Sequence, residues 1–237
     1  MAYGERKKNV LIIFARASDN YNLNSSQIVA DIGSGTGIFT KLLLENGNKV
    51  YAIELNDEMR KASEEYLKDY KNCSIKNATA ENTKLSDKSI NIITVAQSFH
   101  WFEIDTTLIE FDRILKNNGL IVLIWNDRKE DDNLFHKEYN LLLKKYCNDY
   151  DKIKHKNYPI EKLKSIFINK KIDTVVFENF QEFDFTGLQG RLESASYSPE
   201  KGDLNYDTLM GELKSIFEKY SINNTIKIEY NCCLYII

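Results

Sequence analysis

Between residues 28 and 125, short apolar runs alternate with segments whose apolar positions recur every three or four residues. The runs at Ile28–Ile32, Lys49–Ile53, 73–77, Ile90–Ala96 and 120–125 predict strands, and their nearly unbroken apolarity predicts burial on both faces. The periodic segments predict amphipathic helices. Residues 38–44 place Ile38, Phe39, Leu42, Leu43 and Leu44 toward a core and meet Gly47 as a stop. Residues 57–70 do the same with Met59, Ala62, Tyr66 and Leu67, and residues 106–115 with Leu108, Ile109, Phe111, Ile114 and Leu115 ahead of Asn118-Gly119. This order predicts an α/β fold with a doubly wound, mostly parallel sheet. Beyond Asn126 the pattern changes. A charged cluster at 127–132 predicts a loop. Residues 134–150 read as a helix carrying Phe135, Tyr139, Leu142, Leu143 and Tyr146, and 160–167 as a shorter one. The β-branched run 174–177, with Phe180, Phe183 and Phe185 after it, predicts a sixth strand; 204–220 predicts a helix and 225–237 a seventh strand. The expected division is a core at 1–127, an inserted helical cap at 128–170, and completion of the seven-stranded sheet by 171–237.

Composition narrows the partners. A chain of 237 residues, 43% hydrophobic and 28% charged, has length for one large domain or a domain with a smaller cap. Its 32 basic and 35 acidic residues sum to −3 without a basic stripe, so nucleic acid is not an expected partner. The absence of any apolar run of about 18 residues argues against a membrane-spanning helix. Residues 10–17 follow Arg6-Lys7-Lys8 in the manner of a leader, but the run is short, contains Arg16 and lacks a small-residue cleavage site, so it reads as mature protein. Cys73, Cys147, Cys232 and Cys233 form no CxxC pair and no metal spacing, which predicts thiols in a reducing, cytoplasmic setting and no bound metal.

The chemistry concentrates at Val29-Ala30-Asp31-Ile32-Gly33-Ser34-Gly35-Thr36-Gly37, a strand that turns through glycines into a helix. Glycines allow a tight turn and let a ligand approach the backbone closely. The spacing is Gly33-x-Gly35-x-Gly37 with Ile38 next, rather than the Gly-x-Gly-x-x-Gly that cradles a pyrophosphate in dinucleotide oxidoreductases. Asp31 would repel a polyanion and suits a ligand carrying positive charge. Glu54 follows Gly33 by 21 residues and ends the second strand, where a carboxylate can accept both hydroxyls of a ribose.

This segment resembles the S-adenosylmethionine site of class I methyltransferases. Ala78-Thr79-Ala80-Glu81 stands where that family usually has Gly-Asp-Ala-Glu, and Asn91 where an Asp is usual. Ala96-Gln97-Ser98-Phe99-His100-Trp101-Phe102, Arg113 to Gly119, and Gly190 to Pro199 are similar to a small-molecule subgroup that includes relatives of trans-aconitate methyltransferase. Residues 1–26 lack the Tyr-x-x-x-Arg-Pro-x-Tyr-Pro-like segment of that subgroup. The resemblance implies a Rossmann-like sheet with an antiparallel last strand and S-adenosylmethionine as cofactor. It implies cofactor contacts from Asp31, Gly33, Ser34, Gly35, Gly37, Glu54, Leu55, Ala80, Glu81 and Gln97. The acceptor, a small molecule with a carboxylate among the candidates, is expected between His100-Trp101 and Arg191, with Arg128 a second arginine of interest. A monomer or homodimer is expected. The competing readings are a nicotinamide-dependent oxidoreductase, a macromolecule methyltransferase and a non-catalytic cofactor-binding protein.

Overall fold

The computed structural model describes residues 24–148, 150, 158–195 and 197–237; the leader-like run and most of the atypical N-terminal segment lie outside them. Seven strands form one sheet in the order β3-β2-β1-β4-β5-β7-β6. These are β1 (Ile28–Ile32), β2 (Lys49–Ile53), β3 (Cys73–Lys76), β4 (Ile90–Ala96), β5 (Leu115–Arg128), β6 (Asp173–Phe183) and β7 (Ile226–Ile236). β1 pairs in parallel with β2 and β4, β2 with β3, and β4 with β5. β7 runs antiparallel to β5: Ile121 and Ile237 exchange both backbone hydrogen bonds, and farther along Lys129 N–H donates to the Glu229 carbonyl. This is the Rossmann-like, mostly parallel sheet the sequence predicts, with the antiparallel last strand the resemblance implies.

The helices are α1 (Ile38–Glu45), α2 (Asp57–Tyr66), α3 (Ile104–Ile114), α4 (Leu134–Tyr146), α5 (Ile160–Ile166), α6 (Phe185–Glu193) and α7 (Tyr206–Tyr220). Asn56 starts α2 by accepting from the N–H groups of Glu58 and Met59, and Asp57 and Glu58 place negative charge in its first turn. The helix stops at Tyr66, four residues before its expected end.

By packing, the chain divides into two compact units. Of the described residues, the first comprises 24–125, 158–176 and 233–237, and the second 126–148, 150, 177–195 and 197–232. Helix α5 packs with the first unit, because Leu163 and Phe167 are buried in the same cluster as Phe99, Phe111 and Trp125. Residues 177–232 instead join α4, through Leu142, Leu143, Leu188, Leu192, Leu209, Leu213 and Phe217. Burial on this pattern stabilises each unit by roughly 1.5–3 kcal/mol per large side chain before entropy is counted.

Candidate functional site

The glycine turn lies at the carboxyl end of β1, held by the end of β2. Gly33 and Ser34 donate their N–H groups to the Ile53 carbonyl at 2.9 and 3.1 Å. Gly33 (φ +67°) sits so close to the loop after β4 that a Cβ there would lie 2.6 Å from Ser98 Cβ. Ser98 in turn donates its hydroxyl to the Ile32 carbonyl at 2.9 Å. Gly37 (φ +82°) begins α1, and a Cβ on it would meet Ser63 Oγ at 2.7 Å and Leu67 Cδ1 at 2.8 Å.

Glu54 closes the turn from below. One carboxylate oxygen accepts from Gly35 N–H and the other from Asn56 N–H, both at 2.8 Å, and the side chain is nearly buried. An ionised carboxylate offers about four lone pairs, so two acceptor positions remain for hydroxyl groups. Leu55, next in sequence, is 60% exposed and gives the mouth of the turn an apolar surface. Arg60 donates to the carbonyls of Glu54 and Leu55 and pairs with Asp57, bracing this bend. Nothing in the sequence pattern singled out Arg60. Ser34 Oγ is buried in the turn and makes no hydrogen bond among the described residues.

Asp31 is placed differently from its expected role. It is fully buried, and its oxygens accept from the hydroxyls of Thr40 at 2.6 Å and Thr94 at 2.9 Å. Burial pushes its pKa up to about 6, against the lowering effect of both hydroxyls, with Glu54 adding repulsion. It braces the turn from beneath and offers no surface to a ligand.

The segment after β3 is also built for support. Ala80 is buried. Glu81 accepts from Glu103 N–H at 3.0 Å and lies 3.5 Å from the Thr107 hydroxyl, tying the segment to the start of α3. Partial burial works against its charge, but those hydrogen bonds hold its pKa below the usual value. Asn91, standing where an Asp is usual, accepts from Ile28 N–H and Lys116 Nζ and joins β4 to its neighbours. Arg113 has a structural role, as a fork on Glu110 (both nitrogens at 2.8 Å) that also reaches Asp87 and the Leu85 carbonyl.

At the carboxyl end of β4, Gln97 adopts a left-handed φ of +61° while its N–H donates to the Ile124 carbonyl. For a non-glycine residue that conformation costs of order 1 kcal/mol or more and recurs at ligand sites. The short 3₁₀ turn Phe99–Trp101 follows. Phe99 is buried among Phe102, Trp125, Tyr158 and Phe167, with ring centroids 5.4–6.3 Å away. His100 is half-buried and tilted against Trp101 at 4.9 Å, while Trp101 is 72% exposed. Trp101 is thus a surface aromatic and not a core one.

Arg191 lies in the second unit, on α6. Its Nε donates to Tyr230 Oη at 3.0 Å, and its guanidinium carbon stands 5.8 Å from the centre of that ring. His100 and Trp101 belong to the first unit, so the expected acceptor residues divide between the two.

The sheet order and the glycine turn closed by a carboxylate at the carboxyl end of β1 define a Rossmann-like α/β fold. Residues 30–123 match the family model described as a methyltransferase domain. An uncharacterized methyltransferase-like protein of Schizosaccharomyces pombe is 29% identical over 114 residues, 48% of this chain and 43% of its own. An uncharacterized methyltransferase of Mycobacterium tuberculosis is 34% identical over 106 residues, 43% of this chain and 41% of its own. The match therefore spans less than half the length of these curated relatives. Among solved structures, the YcgJ protein of Bacillus subtilis superimposes with a TM-score of 0.57 at 15% identity, covering 94% of this chain and 96% of that one. A protein of Anabaena variabilis, described as a candidate methyltransferase from an antibiotic biosynthesis pathway, gives 0.63 at 19% identity with coverage of 94% and 96%. At these identities the structures speak for the fold. No helix among the described residues is long and apolar enough to cross a membrane.

Proposed function

We propose that the chain transfers a methyl group from S-adenosylmethionine to a small-molecule acceptor that carries a carboxylate. The observation behind this reading is the turn Gly33–Gly37 closed by Glu54, whose carboxylate bonds Gly35 N–H and Asn56 N–H and keeps lone pairs for a ribose. The fit of an adenosine-bearing ligand rests on three further features: the buried, unpartnered Ser34 Oγ, the exposed Leu55, and the open space around Gly35, where a Cβ would meet only Met59 Sδ at 4.0 Å. A pyrophosphate fits less well, because Glu54 holds the loop amide that would otherwise turn toward it.

When bound, this cofactor supplies a methyl group already activated by the sulfonium, which leaves the protein to position the reactants and exclude water. Glu54 would hold the ribose, Ser34 and the loop backbone would receive the polar part of the ligand, and Leu55 would cover apolar ring surface. Gln97, in its strained conformation, presents its side chain at the end of β4. His100 and Trp101 supply the acceptor side of this unit. A carboxylate acceptor is ionised at neutral pH, so no group need remove its proton.

The test is Glu54→Ala. Calorimetry with S-adenosylhomocysteine should show affinity lower by roughly 1.5–3 kcal/mol, the scale of hydrogen bonds to a charged group. Unchanged affinity would remove the ribose assignment.

A further inference from the structure

Among its described residues, the second compact unit gathers two arginines and four tyrosines, with two buried polar atoms of this group making no hydrogen bond. Arg128 comes from the end of β5, Tyr139 and Asn140 from α4, Arg191 from α6 and Tyr230 from β7, with Tyr150 and Tyr197 from the segments after α4 and α6. The guanidinium of Arg128 lies over the Tyr139 ring, 5.2 Å from its centre, and its Nη2 donates to Tyr150 Oη at 2.6 Å and Asn140 Oδ1 at 3.0 Å. Its Nη1 is buried and makes no hydrogen bond among the described residues. Tyr139 is fully buried, and its hydroxyl likewise has no partner. Burial pushes that hydroxyl up to about 12, so it is a neutral donor at every physiological pH. Among the described residues, Arg191 donates from its side chain through Nε alone, to Tyr230 Oη, whose own proton goes to Gln181 Oε1 at 3.0 Å.

Neither arginine forms an ion pair among the described residues. Among the described residues, Asp132 and Glu178 pair with Lys129, Glu229 pairs with Lys227, and Glu130 accepts from Asn140. Buried cations are ordinarily paired, since an unpaired buried charge costs several kcal/mol. Arg128 and Arg191 are both half-buried beside Tyr139, and the acceptors they meet among the described residues are neutral.

We propose that Arg128, Arg191 and Tyr139 form a carboxylate-binding subsite, in which Arg128 Nη1, the terminal nitrogens of Arg191 and the Tyr139 hydroxyl receive the oxygens of one anionic group. A planar carboxylate matches a guanidinium fork, and charge-assisted bonds of this kind are about twice as strong as neutral ones. The subsite is formed by residues of the second unit alone and rests on the methyl-transfer reading only for the class of its ligand, a small carboxylate.

The experiment titrates the full chain with acetate, succinate and citrate, and separately with inorganic phosphate, by calorimetry and thermal melting. The same titrations are made on Arg128→Gln, Arg191→Gln and Tyr139→Phe, and S-adenosylhomocysteine binding is measured on each. At least one carboxylate should bind and raise the melting temperature, and each arginine variant should weaken it by about tenfold or more. Tyr139→Phe removes a hydroxyl that makes no hydrogen bond among the described residues, so it should melt like the wild type without ligand yet bind the carboxylate about three- to tenfold more weakly. S-adenosylhomocysteine affinity should be the same in all three variants. The subsite is overturned if no carboxylate binds, if phosphate binds and carboxylates do not, or if Tyr139→Phe and the arginine variants bind the carboxylate as the wild type does. Carboxylate binding by a chain that does not bind S-adenosylhomocysteine would retain the subsite and reject the methyl-transfer reading.

Discussion

Asp31 belongs to the glycine-turn motif yet has no exposed surface. Its charge is sealed beneath the turn, and only two hydroxyls, from Thr40 and Thr94, replace the water it has lost. Burial raises its pKa from 3.8 to about 6. Between those values the folded chain binds a proton that the unfolded chain has released. The stability from this group is therefore fully present below pH 4 and is lost as pH rises through 6, about 3 kcal/mol in all. Asp31→Asn should flatten that trend, because an amide accepts from one threonine hydroxyl and donates to the other without ionising. Urea unfolding of both proteins at pH 4.5 and pH 7 checks this. The variant should gain on the wild type by about 2–3 kcal/mol over that interval; a constant difference would mean Asp31 stays ionised. The strand run and the glycine spacing pointed to Asp31, Gly33 and Glu54, but not to burial so complete that Asp31 offers no surface. That depends on Thr40 and Thr94, which arrive from α1 and β4.

At the scale of elements, the glycine turn couples two helices. Gly37 starts α1 in a left-handed conformation and packs against Ser63 and Leu67, the side of α2 that is buried. Gly37→Ala would force a Cβ into both contacts and into a φ that costs an L-residue about 1–2 kcal/mol. Together these should lower unfolding stability by roughly 2–4 kcal/mol and weaken cofactor binding with it. Denaturant unfolding would show this, and a loss under 1 kcal/mol would mean that α2 moves aside freely. Most elements were legible because their periodicity is strong: in β7, alternate residues from Ile226 to Ile236 are buried, as the sequence alternates. The exceptions have physical causes. Helix α6 was missed because Gly187 and Gly190 weaken helix propensity and the phenylalanines at 183 and 185 suggest a strand's spacing. β5 extends from Leu115 to Arg128, with a register shift opposite Ile90 and Ile92, because sheet pairing carries it through the polar residues that flank the apolar run. Turn chemistry at Asn118-Gly119 had suggested a later start.

At the scale of the whole chain, sequence order and packing part company. Helix α5 follows α4 in sequence, yet it supplies Leu163 and Phe167 to the cluster around Phe99, while residues 177–232 complete the other unit. Such long-range choices depend on which apolar faces meet, which no local period encodes. The arginine–tyrosine cluster is illegible for the same reason, since its members converge from β5, α4, α6 and β7. The glycine turn lies within one contiguous stretch, so its spacing is legible in the sequence. The central claim concerns that turn, and titrating the same preparation with S-adenosylhomocysteine and with NADH in a calorimeter tests it most directly. The account predicts a single site for S-adenosylhomocysteine, tighter than NADH by at least about tenfold. Tighter binding of NADH, or no binding of S-adenosylhomocysteine, would contradict it.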